Sequence, residues 1–332
     1  MLRSISLAAV VSAFAACSGT TVVDCRVGAD CASGVCLGDG TCGPATVTDA
    51  GSTVLEDGGM IAADGGQVLP DGGTTTEDGG VDAGTPVGCL PNLDGRIDRS
   101  EVFFQSGLRA TFKISGAATF DTAGTAATDG GRVWDFTAAL ATDNTRLVET
   151  KPVPSEYLTD FPDAGYVTQL SQSSDLLGVF AATNDGLYLQ GVVSPVAGTT
   201  TSTKLAYTPW VKVLQFPLQA GASWSTATTV SGKYYTSSTG QLTIGGTFGV
   251  AQTESYQMNV DAVGEAKTPF ASFPALRVRS VMSRTINFIP TLTLRSFTWN
   301  TECFGTVASV TGKDNGTTAE FTDVAEVRRL SP

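Results

Sequence analysis

The chain has 332 residues, 20 basic against 32 acidic side chains, a formal net charge of −12 and no histidine. The acidic balance offers no footprint for nucleic acid, and the missing imidazole removes Ser-His-Asp and Cys-His catalysis together with His-ligated metal sites. The opening MLRSISLAAVVSAFAAC has one positive charge at Arg3, a short apolar run and small residues up to Cys17. That is an export signal over 1–16. It is shorter than the roughly 18 apolar residues of a spanning helix, and no later segment reaches that length.

Phe14, Ala15, Ala16 and Cys17 resemble the lipobox of bacterial lipoproteins, with Phe14 where leucine is usual. The resemblance implies that Cys17 carries a diacylglycerol thioether and that residues 17–24 form a lipidated tether. Ser18 implies passage to the outer membrane. The rival is ordinary cleavage after Ala13-Phe14-Ala15. Cysteine parity bears on the choice: seven cysteines minus Cys17 leave six, at 25, 31, 36, 42, 89 and 303, an even set suited to pairing in an oxidising space.

Residues 25–42, CRVGADCASGVCLGDGTC, space four cysteines as C-x5-C-x4-C-x5-C. A piece this small cannot bury a core, so disulfides are expected to hold it. Three connectivities are open, and Cys25–Cys36 with Cys31–Cys42 is the one adopted here. A zinc site is the rival, but zinc knuckles favour closer cysteine pairs. The run Asp30 to Cys36, flanked by Cys25 and Cys42, resembles the start of the Dickkopf N-terminal cysteine-rich module. Without that module's later cysteines, this implies a secreted knot and gives no ground for inferring signalling antagonism.

From 43 to 88 the chain repeats Asp-Gly-Gly, with Asp at 57, 64, 71 and 78. The spacing of seven suggests a coiled coil, yet paired glycines cost about 1 kcal/mol each in a helix and no apolar stripe accompanies them. The expectation is a disordered acidic linker with a root-mean-square span of about 37 to 41 Å. It holds eight acidic residues and no basic ones. Residues 89–332 hold 18 basic and 21 acidic, a nearly balanced body.

CLPNLDGRIDRSEV, from Cys89, resembles EF-hand and dockerin calcium loops: with Gly95 sixth, Asn92, Asp94, the Arg96 carbonyl, Asp98 and Glu101 take ligand positions. Leu90 stands where the first Asp should be, so weak Ca²⁺ is the most this resemblance implies. The competing reading of 89–104 is a turn at Asn92-Leu-Asp-Gly95, followed by a D-x-x-E cap, Asp98 to Glu101, on a short helix. Apart from that calcium no cofactor is expected.

Residues 105–332 alternate apolar and polar side chains, as in Leu108–Ile114, Leu187–Val193 and Leu292–Trp299, and Asp129-Gly130-Gly131, Asn184-Asp185-Gly186 and Asp314-Asn315-Gly316 mark turns. The expectation is a mainly β protein: one antiparallel barrel or sandwich domain of half-buried strands, preceded by the small disulfide knot and the linker. The later half, with Phe216-Pro217-Leu218, Gly221-Ala-Ser-Trp224 and VGEAKTPFASFPALRV, resembles β-domains of uncharacterised exported bacterial proteins. These look distantly like the open barrels of periplasmic lipoprotein carriers. Trp224 and Trp299 read as core. Cys89 and Cys303 are left to pair, closing a loop whose constraint contributes about 4 to 5 kcal/mol. The functional expectation is a non-enzymatic envelope lipoprotein, held to a membrane by its N-terminal lipid, that displays a β-domain on a flexible stalk in a binding or structural role, its partner, protein or apolar ligand, left open. The alternatives are a carrier of an apolar ligand and a carboxylate-dependent glycosidase. A lined cavity favours the carrier, a filled interior favours display, and a glycosidase needs two carboxylates facing across a cleft about 5 to 9.5 Å apart.

Overall fold

The computed structural model describes residues 89–332 except Asp129 and Ser173, and the backbone of three short strands nearer the N-terminus. The signal, Cys17, the knot cysteines and most of the linker lie outside the described residues. The chain divides into two units, one over residues 15–87 and a larger one holding Gly88–Pro332. In the smaller unit, β1 (Thr53–Val54), β2 (Met60–Ile61) and β3 (Gln67–Val68) pair antiparallel in order, Thr53 opposite Ile61 and Met60 opposite Val68. The strands recur every seven residues, the spacing of the Asp-Gly-Gly repeat in the sequence.

The larger unit is almost entirely strand. Its first half holds β4 (Arg96–Ile97), β5 (Arg109–Thr119), β6 (Thr125–Ala126), β7 (Arg132–Asp135), β8 (Asn144–Glu149), β9 (Tyr166–Ser171), β10 (Ser174–Thr183) and β11 (Gly186–Val193). Its second half holds β12 (Lys204–Gln215), β13 (Leu218–Gln219), β14 (Ser223–Thr236), β15 (Gly240–Ile244), β16 (Gln252–Lys267), β17 (Ser272–Ile286), β18 (Ile289–Thr301), β19 (Gly305–Gly312) and β20 (Asp323–Leu330). Among the described residues there is no α-helix, only single 3-10 turns at Arg99–Glu101 and Ser155–Tyr157.

One sheet runs β8-β5-β20-β19-β18-β17-β16-β14-β12-β11-β10-β9. Its two ends meet: Lys151, just past β8, bridges Val167 of β9 through a reciprocal pair of 2.8 Å backbone hydrogen bonds, and Thr168 Oγ1 donates to the Glu149 carbonyl. The sheet therefore curls into a nearly closed antiparallel barrel, which leaves few bare strand edges. β16 changes partner along its length. Its first half pairs with β14 and its last four residues with β7, in parallel, at Gly264–Lys267. A side chain at 264 would sit 1.9 Å from the Arg132 carbonyl, so glycine is what lets β7 approach.

Alternation along β17 and β18 sorts the core into two faces. Leu276, Val278, Met282, Leu292 and Leu294 join Tyr207, Val211, Tyr256 and Met258 in the largest cluster, drawn from strands around the curl and so filling its inside. Phe273, Ala275, Phe297 and Trp299 face the other way and are roofed by Phe120, Trp134 and Phe136 from the excursion through β6 and β7. A third cluster, with Val153, Tyr157, Phe161, Val179 and Val193, covers the outer face of β9–β11. Hence β11, which reads as half-buried, is buried on both faces. Trp299 is wholly buried, while Trp224 is half-buried against the main cluster with its indole N–H on the Lys212 carbonyl at 2.9 Å.

Candidate functional site

The leading segment 89–104 is clasped to one end of the barrel at three points. A disulfide joins Cys89 to Cys303, with Cα atoms 5.4 Å apart, in the β18–β19 turn. β4 pairs with β13, Ile97 opposite Leu218, and Ile97 and Val102 enter the main core. Phe104 packs on Phe216 with ring centroids 5.8 Å apart.

The residues of the calcium-like loop are brought together here as a turn and a cap. Asn92 Oδ1 accepts from Asp94 N at 2.9 Å, and Asp94 Oδ1 accepts from Arg96 N at 2.8 Å. Asp98 Oδ1 takes the Arg96 guanidinium at 2.7 Å. Glu101 accepts from Asp98 N at 2.7 Å through one oxygen and from Asn92 Nδ2 at 2.6 Å through the other, the reach-back half of a capping box on the Arg99–Glu101 turn. Leu90, in the first ligand position, is exposed. Among the described residues no group of three or more His, Cys, Asp or Glu side chains is placed to hold a metal ion. In this arrangement Asp98 pairs with Arg96, and the two Glu101 oxygens each accept one bond of the turn and cap.

Several carboxylates elsewhere are engaged with cations. Arg277, 3% exposed, directs all five N–H donors at acceptors: two to Asp261 at 2.8 and 3.0 Å, two to Glu320 at 2.7 and 3.2 Å, and one to the Thr122 carbonyl. Its plane lies 4.3 Å over Phe297 and 5.4 Å over Trp134. Asp261 reaches it because the β16–β17 register shifts between Val260 and Ala262, a bulge that re-aims the side chain. Asp261 and Glu320 are thus two carboxylates facing each other, but the guanidinium fills the gap where a glycosidase places its water or sugar. Inside the barrel, Glu254 is paired with Arg284 at 2.8 Å, Gln252 at 2.9 Å and the Tyr256 hydroxyl at 2.5 Å. Burial pushes the hydroxyls of Tyr256 and Tyr207 well above the ordinary tyrosine range. A second inner pair, Glu326 with Arg328, is also shaped by burial: the Glu326 carboxyl is raised and the Arg328 guanidinium is lowered to about 10.

These residues escape a sequence reading because a lone Glu or Arg on a strand looks solvated. The available signal was period two: Glu254 and Arg284 lie in the apolar rows of Tyr256-Met258-Val260 and Val278-Met282, a position that demands a partner.

Cavities open on the body among the described residues. One of about 920 Å³ lies at the β8–β9 seam, lined by Arg146, Glu149, Lys151 and Asp175 beside Leu147 and Leu177. One of about 450 Å³ lies beside Arg295, Lys313, Glu320 and Asp323. Another, of about 460 Å³, is bounded by Asp185, Tyr188, Pro209 and Trp210. The Asp185 carboxylate there accepts from Lys212, Tyr188 and Thr183, and these donors hold it well below the usual carboxylate range.

No protein-family model matches the sequence. No curated protein matches it either. Among solved structures, a Bacteroides fragilis protein of YmcC-like fold, described as exported, aligns over 69% of this chain and 97% of its own, at 10% identity and a TM-score of 0.24. At that score the likeness carries no weight for fold or function.

Proposed function

We propose that this chain is an exported lipoprotein of the bacterial outer membrane, anchored through acylated Cys17, whose β-domain is displayed and acts by binding or structure. The observation that supports this reading is the large cluster of side chains on the barrel's inner face, with the ion pairs Glu254–Arg284 and Glu326–Arg328 beside it. In the seam cavity an apolar ligand would meet Arg146, Glu149, Lys151 and Asp175. At Asp261 and Glu320 the Arg277 guanidinium occupies the position a paired-carboxylate mechanism would need for substrate. The Cys89–Cys303 bond suits an oxidising compartment.

The experiment is intact-mass analysis with lipid extraction of protein purified from its host, followed by membrane fractionation. The expected product begins at Cys17 with diacylglycerol on its sulfur and sediments with outer membrane. A chain beginning elsewhere without acyl groups overturns the reading. Calcium is expected to be dispensable: millimolar Ca²⁺ should release no heat and leave the unfolding midpoint unchanged, because the oxygens of Asn92, Asp94, Asp98 and Glu101 serve the turn and cap.

A further inference from the structure

Where β12 passes β11 the ladder breaks. Ala206 lies opposite Gly191 and Val211 opposite Leu189, so residues 207–210 have only Gln190 across from them. The rupture is costly: Gln190 is 1% exposed, and neither of its amide atoms has a partner among the described residues. Bulges are over-represented next to active sites, where they re-aim a side chain. The side chain turned outward here is Trp210. Of the four tryptophans, Trp134 and Trp299 are wholly buried and Trp224 is half-buried, whereas Trp210 is 37% exposed.

Trp210 is held in place. Its ring meets that of Tyr188 edge to face, with centroids 6.3 Å apart. Tyr188 is fixed in turn by its hydroxyl, which donates to Asp185 at 2.8 Å, and by Lys212 Nζ, 5.2 Å from the centre of its ring. Just before Trp210, the Pro209 carbonyl accepts from Thr228 Oγ1 at 2.7 Å. The two rings and Pro209 wall the cavity of about 460 Å³, inside the roughly 300 to 1,000 Å³ of small-molecule sites.

The polar side of this cavity is made of acceptors. Asp185 Oδ2 takes Lys212 and Tyr188, and Oδ1 takes Thr183 at 2.6 Å. A carboxylate has about four acceptor positions, so one stays open, on a side chain that is 62% exposed. The Tyr188 and Thr183 hydroxyls donate to Asp185 and can still accept. Lys212 cancels the charge of Asp185. A cation would therefore find the carboxylate neutralised and the face of Tyr188 covered, and an anion would meet that carboxylate. A purely apolar molecule would strip water from Asp185 and give it no hydrogen bond in return. A neutral ring with C–H groups on one face and hydroxyl donors around its rim suits both the indole and the acceptors.

We infer that this cavity binds a neutral sugar residue, stacked on Trp210 with a hydroxyl donated to Asp185. The inference rests on the β-domain being a displayed binding module and does not need the acyl anchor. Among the described residues Asp185 is the one acid lining the cavity, so the sugar is held and not hydrolysed, for which two carboxylates are needed.

The test is saturation-transfer difference NMR on full-length protein purified from its host, in a detergent without sugar headgroups. Cellobiose, maltose and N,N′-diacetylchitobiose are titrated in turn. At least one is expected to receive saturation, strongest at the ring C–H protons of one residue. Trp210→Ala, checked for an unchanged unfolding midpoint, should weaken that binding about tenfold or more, and Trp210→Phe, which keeps a plate, should weaken it less. The unmutated protein gives a second readout: bound sugar should remove most of the acrylamide-quenchable tryptophan fluorescence, because Trp134 and Trp299 are already shielded. Absence of transfer from all three sugars overturns the inference, as does binding that survives Trp210→Ala undiminished. Displacement of the sugar by millimolar tetramethylammonium assigns the cavity to a cation and also overturns it. Intact mass of the same sample keeps the two ideas apart. Sugar binding by a chain without acyl groups sinks the anchor alone, and an acylated chain that binds none of the sugars sinks the ligand alone.

Discussion

Arg277 shows how a single side chain joins three parts of the chain. Its five donors fasten the β16 bulge at Asp261, the approach to β20 at Glu320 and the start of the β6–β7 excursion at Thr122. Arg277→Met keeps the bulk over Phe297 but leaves two carboxylates without a cation. The expected loss is about 3 kcal/mol in urea unfolding, at the low end for breaking a buried pair because Glu320 keeps 39% of its side-chain surface in water. Arg277→Lys should lie between, since an ammonium cannot reproduce the two-sided fork. A loss within 0.5 kcal/mol, the range of an ordinary surface change, would remove Arg277 from this role.

Glu326 gives a pH-dependent counterpart. Burial raises its folded carboxyl above the ordinary 4.5, more than Arg328 beside it lowers it. Between 4.5 and that raised value the folded state holds a proton that the unfolded chain has lost, so this group's contribution to stability falls as pH rises. Relative to Glu326→Gln, the parent should therefore gain stability as pH drops from 7 toward 4.5, and the difference should level off below. Denaturant midpoints for both proteins across that range check it. An unchanging difference would mean that the carboxyl is not perturbed. Neither site was legible in sequence: alternation tells which residues share a face, but not that both faces are covered at 275–278 of β17 and 326–330 of β20.

The strands themselves were far easier to read. Alternation in Leu108–Ile114 and Leu292–Trp299 became β5 and β18, and Asn184-Asp185-Gly186 became the reversal between β10 and β11. Burial was misjudged where a cover arrives from elsewhere in the chain. A side chain at Gly191 would lie 2.5 Å from the Phe161 ring, and nothing local announces that approach. The clasp is the opposite case, because two cysteines left over by counting meet across a separation of 214 residues. Closing so long a loop restricts the unfolded chain by about 5 kcal/mol in the chain-entropy model. Cys89→Ala/Cys303→Ala should lower unfolding stability by several kcal/mol, and by more than Glu101→Ala, which removes only a cap worth about 1 kcal/mol. Equal losses in denaturant titrations would place the stabilisation in the loop's hydrogen bonds instead of the covalent link.

At the scale of the whole molecule, the last strand closes what the first long strand begins. β20 lies between β5 and β19, with Val327 opposite both Ser115 and Val310, although β5 is some 200 residues earlier. The ring therefore cannot be completed until nearly the entire body is made, and pairing across such separations is slow because loop closure precedes its reward. A chain ending at Lys313 loses β20, strips the neighbouring edges of β5 and β19 and removes Glu320 from Arg277. It also uncovers the cluster around Trp299, where Val324, Val327 and Leu330 pack. Such a chain should show no cooperative urea transition and little near-ultraviolet circular dichroism from Trp134 and Trp299, whose fixed edge-to-face packing at 5.6 Å is expected to contribute to the native signal. A cooperative transition of undiminished midpoint would show instead that β5 to β19 form a self-sufficient sheet. The curl would then be a consequence of folding and not its condition.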